Sequence, residues 1–287
     1  MHLILFSAIC SVAVAALLKL APRWRLDLPQ LVTWNYLAAG ALCALLLRPS
    51  LDGLRSPRAP WPELLALALV LPALFLVLGT CVRRAGIVRT DVAQRLSLLL
   101  SLLAAFALFG ERADGQRLAG LALGLAAVAG IAVRPRGDEA QARGGWPLLL
   151  AVWAGFALVD VLFKRLAQAG TSSVAALQVA FALAFAGMLA WQLLRRLRGS
   201  ARLEARNFAA GLLLGALNFG NIVFYVRAHQ ALPGHPSVVF AAMNIGVVAL
   251  GTLVGVFAFG ERTGPWNRVA IVLAIVAIAL IAGAPRA

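Results

Sequence analysis

The sequence is poor in charged residues. Only 13% of its 287 residues are Asp, Glu, Lys or Arg, whereas 62% are hydrophobic and the mean hydropathy is +0.89. Ordinary soluble domains carry about 25% charged residues. A soluble domain of this length could not bury so much apolar surface in one core. These deficits exclude a soluble globular protein and predict a chain that lies in lipid.

Acidic residues are the scarcest charged class. There are 11 of them against 26 Lys and Arg, which gives a formal net charge of +15. Such a basic balance is typical of nucleic-acid-binding proteins, but those proteins cluster their positive charge on one face. Here the basic residues lie almost entirely in the short gaps between apolar runs. The sequence therefore predicts no nucleic-acid partner.

Residues and motifs for catalysis are also missing. The three cysteines, Cys10, Cys43 and Cys81, fall within or at the end of apolar runs and have no metal-ligand spacing, which is typical of small buried hydrophobes. The chain has no H-E-x-x-H motif, no G-x-S-x-G motif and no Walker loop. The sequence predicts no enzyme, no cofactor and no metal site, and it argues against ATP hydrolysis as a source of energy.

What the sequence does contain is ten apolar runs, each near the roughly 20 residues that cross a bilayer as a helix. The runs are long and do not alternate, and a helix satisfies its own backbone in lipid, so helices are predicted rather than strands. The predicted fold is an all-α membrane protein with ten transmembrane helices, at 2–21, 30–48, 62–82, 89–109, 115–134, 146–166, 173–195, 207–228, 236–259 and 265–283.

A four-residue motif shows that the chain is an internal repeat. Phe109-Gly110-Glu111-Arg112 ends the fourth run, and Phe259-Gly260-Glu261-Arg262 ends the ninth, 150 positions later. Lys19 and Lys164 end the first and sixth runs in the same way. Because five spans per repeat is an odd number, the second repeat must enter the membrane from the opposite side. We expect two inverted five-helix repeats, at 1–134 and 146–287, joined by a linker at 135–145.

These features together resemble the EamA type of the drug/metabolite transporter superfamily. The resemblance covers essentially the whole chain and rests on the Gly-Glu-Arg sequence at the same span of each repeat, with a Lys at the end of each first span. It implies a secondary carrier of a small metabolite in the plasma (inner) membrane, with spans 1 to 4 and 6 to 9 lining the substrate path. It leaves homo-oligomerisation open.

Two details qualify the resemblance. The small multidrug branch of the superfamily carries a membrane glutamate about two turns before the first lysine, where this chain has Ser11 and Phe156, which argues against proton-coupled cation export. The membrane orientation is also open. Seventeen of the 26 Lys and Arg residues lie on the side of the odd-numbered gaps, which by the positive-inside rule places the N-terminus outside, whereas the family usually has it in the cytoplasm.

Four ionisable side chains are candidates for setting the charge of a substrate cavity. An ionisable group in lipid needs a partner or a wet cavity. Lys19 and Lys164 either snorkel to the headgroups or anchor an anion. Arg95 falls about one turn inside the fourth span, where a guanidinium suits a carboxylate or phosphate. Asp160 lies one turn before Lys164 and can pair with it, as Asp91 can with Arg95.

Uncharged polar side chains extend this candidate site. Asn218, Asn221 and Tyr225 recur at i, i+3 and i+7, so they form one stripe on the eighth span, either a cavity wall or contacts between helices. Gln94 lies beside Arg95, and the second repeat has Asn244 at the corresponding position. Asn35, its neighbour Tyr36, and Gln178 are weaker candidates on the second and seventh spans. We expect Glu111 and Glu261 to stabilise turns.

These residues predict a transporter of a small polar or amphipathic metabolite that works by alternating access. If Lys19, Arg95, Asp160 and Lys164 all face the cavity, their charges add up to +2, which favours an amino-acid-like substrate or an organic anion. Two alternatives stay open at this point. One is a non-transporting membrane scaffold or sensor, and the other is a component of a lipid-linked flippase.

Overall fold

A computed structural model describes residues 2–55, 59–109, 115–132, 145–232 and 236–283. These ranges are helical apart from short connections. The α-helices are α1 (His2–Leu20), α2 (Leu28–Leu47), α3 (Trp61–Ala85), α4 (Ile87–Arg95), α5 (Ser97–Phe109), α6 (Gly115–Ala132), α7 (Gly145–Gln168), α8 (Ser173–Leu197), α9 (Ala205–Ala231), α10 (Pro236–Leu253) and α11 (Pro265–Gly283).

The predicted all-α membrane fold is confirmed. Eight helices of the described chain are long and apolar enough to cross a membrane, and α6 adds a shorter apolar segment at Leu118–Ala127. The fourth predicted span differs from the prediction because it is two helices, α4 and α5, separated at Leu96. The ninth span continues beyond α10 as a π-helical turn, Val254–Ala258.

The chain forms two compact units, and each unit draws helices from both halves of the sequence. The first unit comprises Met1–Lys19, Thr80–Ala157 and Gly220–Ala287, and the second comprises Leu20–Gly79 and Leu158–Phe219. The predicted repeat boundaries are therefore not the boundaries of these units, and they stay a prediction. The first Gly-Glu-Arg copy and residues 135–144 of the predicted linker lie outside the described residues.

Glycines bring the helices of the first unit into close contact. A Cβ placed on Gly120 of α6 would lie 2.6 Å from Ile281 Cγ1 of α11. A Cβ on Gly251 of α10 would lie 2.1 Å from Asp91 Oδ2 of α4, and one on Gly255 would lie 2.7 Å from Val88 Cγ2. Gly251 and Gly255 thus form a Gly-x-x-x-Gly pair that lets α10 approach α4, as this motif does between membrane helices. Gly120 likewise lets α6 approach α11.

The second unit is built on α2, α8 and the first part of α9. Gly215 of α9 lies against the α2 backbone, since a Cβ there would be 2.5 Å from the Asn35 carbonyl oxygen. The start of α2 is capped by Asp27, whose side chain accepts a hydrogen bond from the Gln30 amide at 3.0 Å. Arg195, in the last turn of α8, donates one hydrogen bond to each Asp27 carboxylate oxygen, both at 3.0 Å. The ends of these helices are thereby fixed to each other by local charge pairing.

Candidate functional site

The break in the fourth span places Arg95 at the end of a short helix. The backbone turns at Leu96, and the Leu96 carbonyl oxygen accepts a hydrogen bond from the Trp153 indole at 2.7 Å. The Ser97 hydroxyl donates to the Gln94 carbonyl at 2.7 Å. Irregular backbone is tolerated inside a membrane protein where other groups satisfy it, and these two bonds do so here. A cation at a helix C-terminus is also favoured by the helix dipole.

The Arg95 guanidinium contacts two other helices of the first unit. Its Nη2 donates to the Ser11 hydroxyl of α1 at 2.8 Å. Its Nη1 lies 3.4 Å from Asn244 Oδ1 and 3.8 Å from Met243 Sδ, both on α10. Ser11 and Asn244 lie near the middle of their helices. The guanidinium thus contacts neutral side chains near the middle of two apolar helices.

Asn244 is oriented toward Arg95 by its own helix. Its Nδ2 donates to the Phe240 carbonyl at 2.8 Å, and only 7% of the residue is exposed. Since the amide nitrogen is used within α10, the amide oxygen is the atom that faces the guanidinium. The sequence placed Asn244 and Gln94 at corresponding positions of the two repeats, and the structure brings Asn244 beside Gln94's neighbour, Arg95.

Asp91 lies one helical turn before Arg95, on the side of α4 that packs on α10. The residue is 4% exposed. Its Oδ2 occupies the space that a side chain at Gly251 would fill, and it has no hydrogen-bond partner among the described residues. Asp91 interacts electrostatically with Arg95 and with Glu261. A carboxylate so enclosed was identified in the sequence only as a possible partner of Arg95.

The beginning of α4 is fixed by the second Gly-Glu-Arg motif. The Glu261 carboxylate accepts hydrogen bonds from the Ile87 amide at 2.6 Å and the Val88 amide at 3.0 Å. Lys19 Nζ lies 3.3 Å from Glu261 Oε1 and donates to the Val82 carbonyl at 3.2 Å. Glu261 therefore stabilises the N-terminus of another helix, and a role of its side chain in its own turn stays a prediction. Lys19 is paired with this carboxylate, an arrangement that neither reading of the sequence included.

The polar stripe of α9 makes contacts between helices. In the first unit, Asn221 Nδ2 donates to the Ser7 carbonyl at 3.2 Å, and the Ser7 hydroxyl donates back to the Asn221 carbonyl at 3.0 Å. Tyr225 packs edge-on against His229, with ring centroids 4.4 Å apart. The Ser7–Asn221 bonds correspond to the interhelical alternative for the stripe, whereas Tyr225 contacts His229 within α9. A substrate role for Asn221 and Tyr225 stays a prediction.

The remaining predicted residues belong to the second unit. Asn218 Nδ2 donates to Asn35 Oδ1 at 3.3 Å, and Gln178 Oε1 is buried with no hydrogen-bond partner among the described residues. Asp160 is exposed and Lys164 is half-buried on α7. The structure thus gathers Arg95 and Asn244 in one unit and Asn35 with Asn218 in the other.

Three residues around Arg95 were not among the predicted site residues: Ser11, Met243 and Trp153. A signal for Ser11 was present in the sequence, because Ser7 and Ser11 stand one turn apart in an otherwise apolar span. Met243 carries no such signal. Trp153 lies within its apolar run and not at the membrane interface, where tryptophan is enriched.

Comparison with known proteins agrees with this architecture. The profile of the EamA-like transporter family matches residues 1–133. An uncharacterized protein of Haemophilus influenzae is 38% identical over 284 residues, which cover 97% of this chain and 96% of that protein. An uncharacterized protein of Pseudomonas aeruginosa is 34% identical over 187 residues, 65% of this chain and 61% of that protein.

A solved structure illustrates the shared fold. A crystal structure of a protein superposes with a TM-score of 0.55 at 18% identity, covering 96% of both chains. At that identity the similarity concerns the arrangement of helices along the whole chain.

Proposed function

Because the chain belongs to the EamA-like transporter family, within the drug/metabolite transporter superfamily, and is a multi-pass membrane protein, we propose that it is a secondary-active carrier of a small amino-acid-like or organic anion. We place it in the plasma (inner) membrane. Arg95 binds a carboxylate of the substrate, and Asn244 and Ser11 supply hydrogen bonds beside it. Transport follows alternating access, as in other carriers built from repeats.

The observation that carries this proposal is the convergence of polar atoms on the Arg95 guanidinium. Side chains from α1 and α10 meet it at the point where the fourth span is broken. A planar guanidinium binds a carboxylate through two parallel hydrogen bonds. The contacts to Asn244 at 3.4 Å and to Met243 at 3.8 Å are long, so a carboxylate can replace them at little cost.

The broken span also supports a transport role. Discontinuous helices are typical of secondary transporters, whose substrate sites lie near the middle of the membrane where such helices end. Here the break at Leu96 directly follows Arg95, and α4 is held at its other end by Glu261. The charged side chain thus stands on a short element that is separate from the rest of its span.

The test begins with binding. The purified protein is screened by thermal shift against amino acids and small organic acids, since a ligand that binds only the folded state raises the melting temperature. We expect a carboxylate-bearing ligand to stabilise the wild type and to lose this effect in Arg95→Gln. Arg268→Gln is the matched control, because Arg268 is an exposed arginine on α11. Anionic ligands that stabilise Arg95→Gln as strongly as the wild type would place the site elsewhere.

Transport is then measured with the ligand found. Radiolabelled ligand inside proteoliposomes should exchange with unlabelled ligand outside in the wild type, and not in Arg95→Gln. Binding without any exchange would contradict a carrier and favour the sensor alternative.

A further inference from the structure

A buried carboxylate beside the proposed site has no role in substrate binding as described above. Asp91 is 4% exposed, and its Oδ2 faces Gly251 with no hydrogen-bond donor among the described residues. It stands one turn from Arg95 and interacts with it electrostatically. Resting on the proposed function, we propose that Asp91 is the proton-binding site of the carrier, so that the anion bound at Arg95 and a proton bound at Asp91 cross the membrane together.

The geometry favours a proton over other cations at this position. Gly251 lies directly against Asp91 Oδ2. A Cβ at residue 251 would lie 2.1 Å from this oxygen and 3.3 Å from Asp91 Cγ. A metal ion such as Na⁺ needs several oxygen ligands around it, and its hydrated form is larger still. The enclosed oxygen lacks such a ligand set in the part of the chain that the structure describes. A proton adds almost no volume and gives the oxygen a hydrogen of its own.

The charged groups around Asp91 determine how strongly its protonation affects anion binding at Arg95. Among the described residues, Arg95, on the same helix, and Glu261, at the helix start, are the charged groups that interact with it. Lys19 reaches the same region by pairing with Glu261. The helix that packs most closely on Asp91, α10, has no titratable residue between Val238 and Leu253. Because Lys19 and Glu261 offset each other, the charge felt by a substrate at Arg95 depends mainly on Asp91.

Substrate and proton therefore favour each other. When Asp91 is ionised, its charge offsets that of Arg95, and an anion gains little on binding. When Asp91 carries a proton, that offset is lost and the anion is attracted more strongly to Arg95. By linkage, a bound anion equally favours proton uptake by Asp91. One proton and one monovalent anion enter and leave together, so no net charge crosses the membrane.

The first measurement uses the unmodified protein and the carboxylate ligand found for it. Isothermal titration in buffers of different ionisation enthalpy counts the protons taken up on binding. We expect proton uptake, and an apparent Kd that rises with pH by no more than about tenfold per unit, the limit for one linked proton. A Kd independent of pH with no proton uptake would overturn the proposal.

Proteoliposomes give the second measurement. An inward proton gradient should drive accumulation of the anion by the wild type. Asp91→Asn keeps the shape of the side chain against Gly251, so it should still exchange ligand across the membrane but no longer accumulate it against a gradient. Asp52→Asn, an exposed carboxylate outside the helical spans, is the control and should accumulate ligand like the wild type. Gradient-driven accumulation that survives in Asp91→Asn would sink the idea.

The two hypotheses fail in different ways. If no carboxylate binds or exchanges in the wild type, the proposed function is wrong. If the wild type binds and exchanges an anion through Arg95, but with neither proton uptake nor a response to the gradient, the carrier stands and the role of Asp91 is wrong.

Discussion

Lys19 Nζ lies 3.3 Å from Glu261 Oε1, which joins the last turn of α1 to the Gly-Glu-Arg motif after α10. The same carboxylate accepts the hydrogen bonds of the Ile87 and Val88 amides. The first amides of a helix lack partners within the helix, and they carry its positive dipole end, so a carboxylate there satisfies both. A motif in the second half of the sequence thus fixes a helix of the first half.

We expect Glu261→Ala to destabilise the protein by about 2 kcal/mol. The substitution leaves two amides of α4 without their acceptor and leaves Lys19 without its partner, and losses of a helix cap or of a hydrogen-bonded charge are of this size. Thermal unfolding in detergent measures the effect. Arg262→Ala is the control, because Arg262 belongs to the same motif but is exposed. Equal melting temperatures for the two variants would show that the cap contributes nothing.

Gly251→Ala should destabilise the contact between α10 and α4. The new methyl group would overlap Asp91 Oδ2, so the buried Asp91 side chain would have to shift to make room. Overpacking of this kind costs about 1–3 kcal/mol. Gly246→Ala on the same helix is the control, since its Cβ would meet Ala8 Cβ at an ordinary 3.7 Å.

A double substitution tests the cause of that loss. Asp91→Ala removes the overlapping oxygen, so Gly251→Ala should cost less in an Asp91→Ala background than in the wild type. A double-mutant cycle on melting free energies measures this coupling. Additive effects would mean that Asp91 is not the residue that Gly251 accommodates.

Gly215, in the second unit, packs against the backbone of a neighbouring helix. A Cβ on Gly215 would lie 2.5 Å from the Asn35 carbonyl oxygen and 2.7 Å from Ala38 Cβ, both on α2. Because backbone cannot move aside as a side chain can, Gly215→Ala should separate α9 from α2 and cost at least as much as Gly251→Ala. Gly187→Ala has nothing within 4 Å of its Cβ, so its melting temperature should match or exceed that of the wild type.

Arg195→Lys should have only a small effect. Arg195 binds both oxygens of Asp27, and lysine cannot reproduce this paired geometry. The two side chains are 21% and 29% exposed, and solvent screening limits such pairs to below about 1 kcal/mol. The change in melting temperature should therefore be well below that of Glu261→Ala. A larger loss would indicate that the pair is less screened than its exposure implies.

The spans could be predicted because lipid imposes a simple requirement on each stretch of chain. All ten apolar runs are helical over the residues described, and most ends agree within a few residues. The exception is the fourth run, which is broken at Leu96. No proline or glycine stands at this position to signal the break in the sequence. At the break, the Leu96 carbonyl accepts a hydrogen bond from the Trp153 indole, which is far away in sequence.

The candidate site was predicted in part. Arg95 and Asn244 were selected as ionisable or polar groups in apolar runs, and they do lie together. Lys19 was selected by the same rule, but its charge is paired with Glu261, a residue interpreted as a local turn stabiliser. Composition and spacing identify which side chains are costly to place in lipid, but they do not specify which partner offsets that cost.

By itself, the sequence determined that the protein crosses the membrane, how many apolar runs it has and which family it belongs to. Those properties follow from hydrophobicity and from a motif readable along the chain. Only the tertiary structure decided that Glu261 caps α4, that Asp91 is enclosed against Gly251, and that Arg95 meets Ser11 and Asn244. Each of these depends on how closely two helices approach, and that distance is set by glycines and packing between residues far apart in the sequence.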